Sequence, residues 1–385
     1  MSEKFASYIV HIVCELPSTD DPIQNIVHMD IAFDALANHP RLWSVFLGNT
    51  TARLERYLQL RPERYDQVVQ WMQQGRLEMG AWFVPPTQQS IEGLIRNLQL
   101  GLETTRHLGM HLEAIYAEGN SYVAQLVRGV GLDTVLSVGG FVPSNHELAA
   151  IDGSRVHYFV GYDQSQPRDK HIEHAVDRHV LVRSVGTVDT WLHTLSQFPL
   201  DDAFFSSYAG FTKAARMHHT LTTEQSQVSE TKMSVIELHD LQYVLEPLTV
   251  LDLLNRKPRF YNPQNLINSL WRGYFLGKFD QALFDSLLQH YGEYQNPLDE
   301  ILTVESDGFK ILACKRHAQD GIIVRGYNPY NTEHPTTITF NKHFNFTKCD
   351  ILRLDERRGG ATLPMLDYRV QFTSNPHRLL TLWVR

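Results

Sequence analysis

Three cysteines, Cys14, Cys314 and Cys349, are all that 385 residues contain. Their odd number and unpaired spacing exclude a disulfide framework and favour a reducing compartment. Long apolar runs are missing too, so nothing here spans a bilayer as a helix, and the opening MSEKFASYIVHIV is too short in its apolar run and too polar before it for a secretory signal. The expectation is a cytoplasmic protein with no membrane partner. Basic charge is scarce: 35 Lys and Arg stand against 43 Asp and Glu, a net charge of -8 with no basic cluster, which argues against nucleic acid as a ligand. What remains is an ordinary globular composition, 43% hydrophobic and 20% charged, with material for about two to three domains with real cores.

Along the first 140 residues, short β-rich runs alternate with helical patterns, as in parallel strands joined by crossover helices. Strands are expected at Tyr8 to Val13, Leu42 to Leu47, Leu77 to Val84, Ala114 to Tyr116 and Thr134 to Val138. Asp21-Pro22 reads as an N-cap and first helical residue, and Asn38-His39-Pro40 as the stop. Pro62 opens a helix carrying Val68, Val69 and Met72 inward and ending at Gly75, which can take a left-handed cap. Ser90 caps a longer helix with Ile91, Leu94, Ile95 and Leu98 on one face. Five such strands are half of a doubly wound sheet or much of a barrel.

Further strands are expected at Val156 to Val160 and His179 to Val185, and the polar stretch Thr220 to Lys232 reads as a loop. Leu238 to Leu254 and Pro263 to Tyr291 have helical patterns. From Ile301 the texture is all-β: FKILACKRH, GIIVRGYNP, TTITF, CDILRL and LLTLWVR are short runs between turn pairs. The domains read as 1–235 α/β, 236–299 helical and 300–385 β-sandwich-like, without internal repeat or low-complexity tract.

Three segments, LGNTTARLERYLQLRPE from Leu47, GRLEMGAWFVPPT from Gly75 and SIEGLIRNLQLG from Ser90, resemble in order and spacing the catalytic domain of glycoside hydrolase family 38, the zinc-dependent α-mannosidases. FKILACKRHAQDGIIVRGYN and NPHRLLTLWV are similar to the last β domain of the same family. The resemblance implies a seven-stranded parallel (β/α) barrel-like N-terminal domain, a helical segment and a shortened C-terminal β part. It also implies where the chemistry belongs, and there the chain departs. The His-x-His-x-Asp element after the first strand, which binds zinc in the family, is here Cys14-Glu15-Leu16-Pro17-Ser18-Thr19. The Asp-x-Phe-Gly element after the fourth strand, source of nucleophile and metal ligand, is Tyr116-Ala117-Glu118-Gly119-Asn120-Ser121. Phe-His-Asp, whose His completes the zinc shell, becomes Phe279-Asp280-Gln281, and the acid after the WFV strand becomes Pro85-Pro86-Thr87.

Retaining hydrolysis needs two carboxylates about 5 Å apart, and zinc needs three or four convergent donors. One missing catalytic group costs about four to six orders of magnitude in rate. The expectation is an α-mannosidase-like protein that is catalytically inactive and keeps its scaffold for a mannoside-like carbohydrate or a partner, with no zinc. Alternatives are an active glycosidase with substitute residues and a non-catalytic subunit docking onto a full-length paralogue or a second copy. The residues that could still carry chemistry are Glu118 and Glu15 as carboxylates and Asp280 as an oxygen ligand, with Thr87, Tyr116 and Asn120 lining a substrate pocket. As plain loop or helix-surface charges, Glu118 and Asp280 need no such role; Glu15 and Asp20 equally suit the turn before Asp21.

His28-Met29-Asp30 repeats a zinc-like spacing, but on a helix residues two apart diverge. His171, His174 and His179 in HIEHAVDRH, and His218-His219, lack helical periodicity and read as scattered loop histidines. Trp43, Trp71 and Trp82 suit core packing better than a sugar platform.

Overall fold

A computed structural model of the chain describes residues 9–16, 21–39, 42, 44–48, 50–86, 89–117, 121–138, 147–163, 179–197, 203–204, 239–251, 263–276, 278–291 and 296–385. Two compact units are present: Met1–Pro86, Asn97–Arg128 and Leu132–Ser229 form one, and Thr87–Arg96, Gly129–Gly131 and Glu230–Arg385 the other. Among the described residues no helix is long and apolar enough to cross a membrane.

In chain order the first unit contains β1 (Ile9–Glu15), α1 (Pro22–Asn38), β2 (Val45–Phe46), α2 (Ala52–Leu60), α3 (Tyr65–Gln73), β3 (Leu77–Glu78), most of α4 (Ile91–His107), β4 (Ile115–Tyr116), α5 (Ser121–Gly129), β5 (Thr134–Val138), β6 (Glu147–Ala149), β7 (Arg155–Asp163), β8 (His179–Val185), α6 (Val188–Ser196) and β9 (Ala203–Phe204). Asp21 caps α1 as its type and position dictate, its carboxylate accepting from the Ile23 amide at 2.8 Å. Gly75, at φ +68°, supplies the left-handed residue that ends the α3 region.

The sheet runs β3-β2-β1-β8-β7-β5-β4, with β6 added on β7 and β9 on β1. These pairs are parallel except β6 with β7. Both faces are covered, as a parallel sheet requires. Val10, Ile12 and Cys14 of β1 pack outward with Phe33 and Leu36 of α1, both fully buried, each worth about 1.5–3 kcal/mol. Val13 turns the other way, onto Phe46, Leu136, Phe159 and Leu181.

Among the described residues the expected seven-stranded barrel is not shown as a closed one. The path has two edges, β3 and β4, and no ladder joins them among the described residues. The expected strand Leu77 to Val84 is cut to Leu77–Glu78 with an isolated bridge from Thr50 to Trp82. The cause is local. Buried Asn97 takes the Phe83 and Val84 amides on its Oδ1, at 2.9 and 3.0 Å, and donates to the Val84 carbonyl at 3.0 Å, so these backbone groups are satisfied away from a sheet. One side-chain hydrogen bond spans the edges instead, from Trp82 Nε1 to the Tyr116 carbonyl at 2.8 Å.

The second unit opens with the first residues of α4 and continues through a π-helical turn at Leu241–Leu245 into α7 (Glu246–Leu251), then α8 (Pro263–Phe275) and α9 (Gln281–Tyr291). The single helix expected from Pro263 to Tyr291 is two, because Asp280 starts a new one by accepting from the Leu283 amide at 2.9 Å. An antiparallel β-sandwich follows: a four-stranded sheet of β10 (Leu302–Glu305), β13 (His334–Phe340), β17 (Arg369–Ser374) and β16 (Met365–Leu366), and a five-stranded sheet of β11 (Lys310–Arg316), β12 (Ile322–Tyr327), β18 (Leu379–Val384), β14 (Cys349–Leu352) and β15 (Arg358–Leu363).

A network of charged side chains runs through this unit, with Glu92, Arg96, Glu246, Lys315 and Arg325 buried and Glu356 partly buried at its edge. Glu92 Oε1 accepts from Arg96 Nε and from Arg325 Nη1, both at 2.6 Å. Arg96 Nη2 donates to Glu246 at 2.8 Å, and Trp271 Nε1 donates to the same carboxylate at 3.0 Å. Arg325 Nη2 and Lys315 Nζ meet on Glu356 at 3.0 and 2.7 Å. Burial pushes Glu92 and Glu356 up, but neighbouring cations, Arg325 and Arg96 for Glu92 and Lys315 and Arg325 for Glu356, hold both carboxyls below the usual range. Glu246 goes the other way, because burial outweighs Arg96.

Removing one member strands the rest. Arg325→Met is expected to lower stability by about 3–5 kcal/mol, because Glu92 and Glu356 lose their shared cation inside the protein. A urea midpoint unchanged from wild type would contradict this.

A second prediction concerns acid. His11 Nε2 lies 2.8 Å from His179 Nδ1, the rings stacked with centroids 5.1 Å apart. Burial first, then the charge of His179, lowers His11 to about 3. The unfolded chain therefore takes the proton near pH 6.5 while the folded chain refuses it. Stability is whole above about pH 6.5 and falls as pH drops towards 3, with a limiting slope of about 1.4 kcal/mol per unit for this group. Denaturant midpoints at pH 7 and pH 5 should differ, and less so in His11→Phe; equal slopes in the two proteins would refute the assignment.

Candidate functional site

In parallel α/β sheets ligands meet the chain at the carboxyl ends of the strands. There β1 ends in Glu15. Alternation along β1 puts His11, Val13 and Glu15 on the inner face, and the register with β8, Val13 beside Arg183, puts Arg183 on that face as well. Glu15 and Arg183 form a direct ion pair, their side chains 12% and 4% exposed. Gly161 of β7 makes room for it: a Cβ there would stand 2.6 Å from the Arg183 Cδ. The Arg183 guanidinium also lies 5.8 Å from the centre of the Tyr116 ring, and Phe46 packs near that ring at 6.2 Å.

Arg53, in the first turn of α2, adds a second guanidinium. It donates to Asn25 Oδ1 at 2.6 Å and raises no barrier to ionisation of Glu15, whose carboxyl is pushed up by burial and pulled down by Arg183 and then by Arg53. Burial in turn lowers Arg53, with Glu15 opposing. Glu15's backbone is fixed as well, its carbonyl accepting from Trp191 Nε1 at 3.2 Å. A small open pocket lies beside this group, its walls including Phe46, Glu78, Glu113, Tyr116 and Leu136. Both edges of the sheet contribute to that wall, so the sheet curls.

Of the residues singled out from sequence, Glu15 and Tyr116 are thus brought together, each against Arg183. Thr87, Glu118 and Asn120 lie outside the described residues, as do Asp20, Trp43, His171, His174, His218 and His219 and the stretch 220–232. Asp280 is exposed and caps α9. Asp30 accepts from Tyr57 at 2.6 Å and pairs with Arg61 at 3.3 Å, a tie between helices. His179 belongs to the pair with His11, and Trp71 and Trp82 are buried. Sequence reading missed Arg183, Arg53 and Gly161. A signal existed for Arg183: in HVLVRSV it is the one charged residue of a buried strand, in phase with the inward positions.

The family-implied zinc finds no fit in this donor set. Glu15, the carboxylate that ends β1 among the described residues, is held by a guanidinium, and a cation placed there would be repelled by it. Among the described residues no group of three or more His, Cys, Asp or Glu is arranged to hold a metal ion.

Comparison with known proteins gives the context. Residues 308–382 match the family model "Glycosyl hydrolases family 38 C-terminal beta sandwich domain". A "Putative mannosylglycerate hydrolase" of Halalkalibacterium halodurans is 34% identical over 89 residues, 23% of this chain and 10% of that protein. An α-mannosidase from Enterococcus faecalis V583 superposes with a TM-score of 0.60 at 14% identity, over 97% of this chain and 54% of its own. A protein of glycosyl hydrolase family 38 from Enterococcus faecalis gives 0.61 at 15% identity, over 98% and 54%. The chain therefore spans about half the length of these structures, and identity at that level shows the fold alone. In fold along its length, and in sequence over its C-terminal β-sandwich, the chain resembles glycoside hydrolase family 38.

Proposed function

We propose that this chain is an α-mannosidase-like protein that binds a mannoside-like carbohydrate without hydrolysing it. The carrying observation is the Glu15–Arg183 ion pair. At the strand end where the family resemblance calls for a metal and its ligands, this chain has a carboxylate already neutralised by a buried cation. Water activation or sugar hydroxyl coordination by zinc needs open, convergent donors, and a guanidinium supplies neither. What the rim offers is suited to binding: a tyrosine ring, guanidinium donors and carboxylate acceptors beside a pocket.

One observation favours turnover as a second reading. Burial raises the Glu15 carboxyl, which is the tuning of a general acid. A retaining mechanism needs a second carboxylate about 5 Å away, and Glu118, the candidate by resemblance, lies outside the described residues.

An aryl α-mannoside with added zinc separates the two readings. The expected result is no chelator-sensitive release and less than stoichiometric zinc after dialysis; rapid release abolished by chelator would overturn the proposal. The ion pair has its own test. Arg183→Ala should cost about 3–5 kcal/mol by leaving Glu15 buried and uncompensated, whereas Glu15→Gln with Arg183→Met should cost much less. Equal losses in both would mean that the pair is not the constraint.

A further inference from the structure

Tyr116 supplies the aromatic ring of the candidate site, yet β4, the strand that presents it, is two residues long. On one side β4 pairs with β5, Ile115 beside Val135 and Tyr116 beside Leu136. So short a ladder does not by itself hold a ring to the roughly 0.5 Å that a binding site needs. On the other side, where no ladder joins β4 to β3 among the described residues, the Tyr116 carbonyl accepts from Trp82 Nε1 at 2.8 Å.

The segment that carries Trp82 is fixed from two directions. At the start of α2 the Thr51 amide donates to the Trp82 carbonyl at 2.8 Å and the Ala52 amide to the Phe83 carbonyl at 3.0 Å. From α4, Asn97 holds the Phe83 and Val84 amides. Gly101 brings the α4 backbone so close that a Cβ there would stand 2.0 Å from the Ala81 carbonyl oxygen. The indole, 1% exposed, thus starts from a rigid support and ends on the strand that presents Tyr116.

We infer that Trp82 is a positioning residue of the candidate site: its indole N–H clasps the end of β4 across the two sheet edges and so sets the Tyr116 ring against Arg183 and Phe46. Those contacts, 5.8 Å to the guanidinium and 6.2 Å to the Phe46 ring, turn on the backbone of residue 116. Tryptophan suits the task because it is a stiff planar arm with one donor on its edge and no acceptor to misplace. The effect on a ligand rests on the carbohydrate-binding reading above; the placement of the ring does not.

The test removes the donor and keeps the shape. Trp82→benzothienylalanine replaces the N–H by sulfur, and Tyr116→fluorotyrosine in both proteins reports the ring by fluorine NMR. The residue 116 resonance should shift and broaden when the donor at 82 is lost. The same exchange at Trp383, whose indole donates to the Asp320 carbonyl at 2.7 Å in the second unit, should leave that resonance in place. Affinity for methyl α-mannoside should fall about fivefold with the exchange at 82, the worth of one hydrogen bond, and stay unchanged with that at 383. A residue 116 resonance that ignores the exchange at 82, or follows both exchanges alike, overturns the inference, as does unchanged affinity in a chain that binds. A wild-type chain that binds no mannoside overturns the proposed function instead, and the fluorine comparison still decides the clasp.

Discussion

A carboxylate and a guanidinium, withdrawn from water together at the carboxyl end of a parallel sheet, decide what the rest of the first unit can do. Separating Glu15 from Arg183 would leave a charge in a place that cannot solvate it. The neighbours are arranged around that fact. Gly161 leaves space for the arginine stem, Tyr116 offers its ring, and Trp191 holds the Glu15 carbonyl. The pairing keeps the Glu15 carboxylate engaged with Arg183.

The second unit uses the same physics for another end. Glu92, Arg96, Glu246, Lys315, Arg325 and Glu356 balance three negative against three positive groups, and link the start of α4, α7 and the β-sandwich strands through short hydrogen bonds. Such networks contribute less to net stability than their short distances suggest, since desolvation offsets attraction; their effect is that every member must be in place. The Trp271 indole, donating to Glu246 with the Arg96 guanidinium 5.3 Å from its ring, extends the same requirement into α8.

Local chemistry was legible in the sequence, and long-range pairing was not. Asp21 capped α1, Gly75 took its left-handed conformation and the strand His179–Val185 kept its bounds because each depends on residues a few positions apart. Glu15 and Arg183 stand 168 positions apart, and nothing in either neighbourhood announces the other. Glu92 and Arg96 have the spacing of a common solvent-facing helix pair, yet are fully enclosed because Arg325 arrives from β12. The seven-strand path is not closed at β3 among the described residues, because Asn97 draws the chain there out of the ladder. The helix expected through Pro263 to Tyr291 was split by a cap at Asp280, a residue that resemblance had marked for metal binding.

The account turns on whether the end of β1 accepts a divalent cation, and the most direct measurement is an anomalous-scattering map from crystals soaked in zinc. The pairing of Glu15 with Arg183 predicts no zinc peak at that strand end and an unmoved ion pair. A strong peak bonded to Glu15, with the Arg183 side chain displaced, would contradict it.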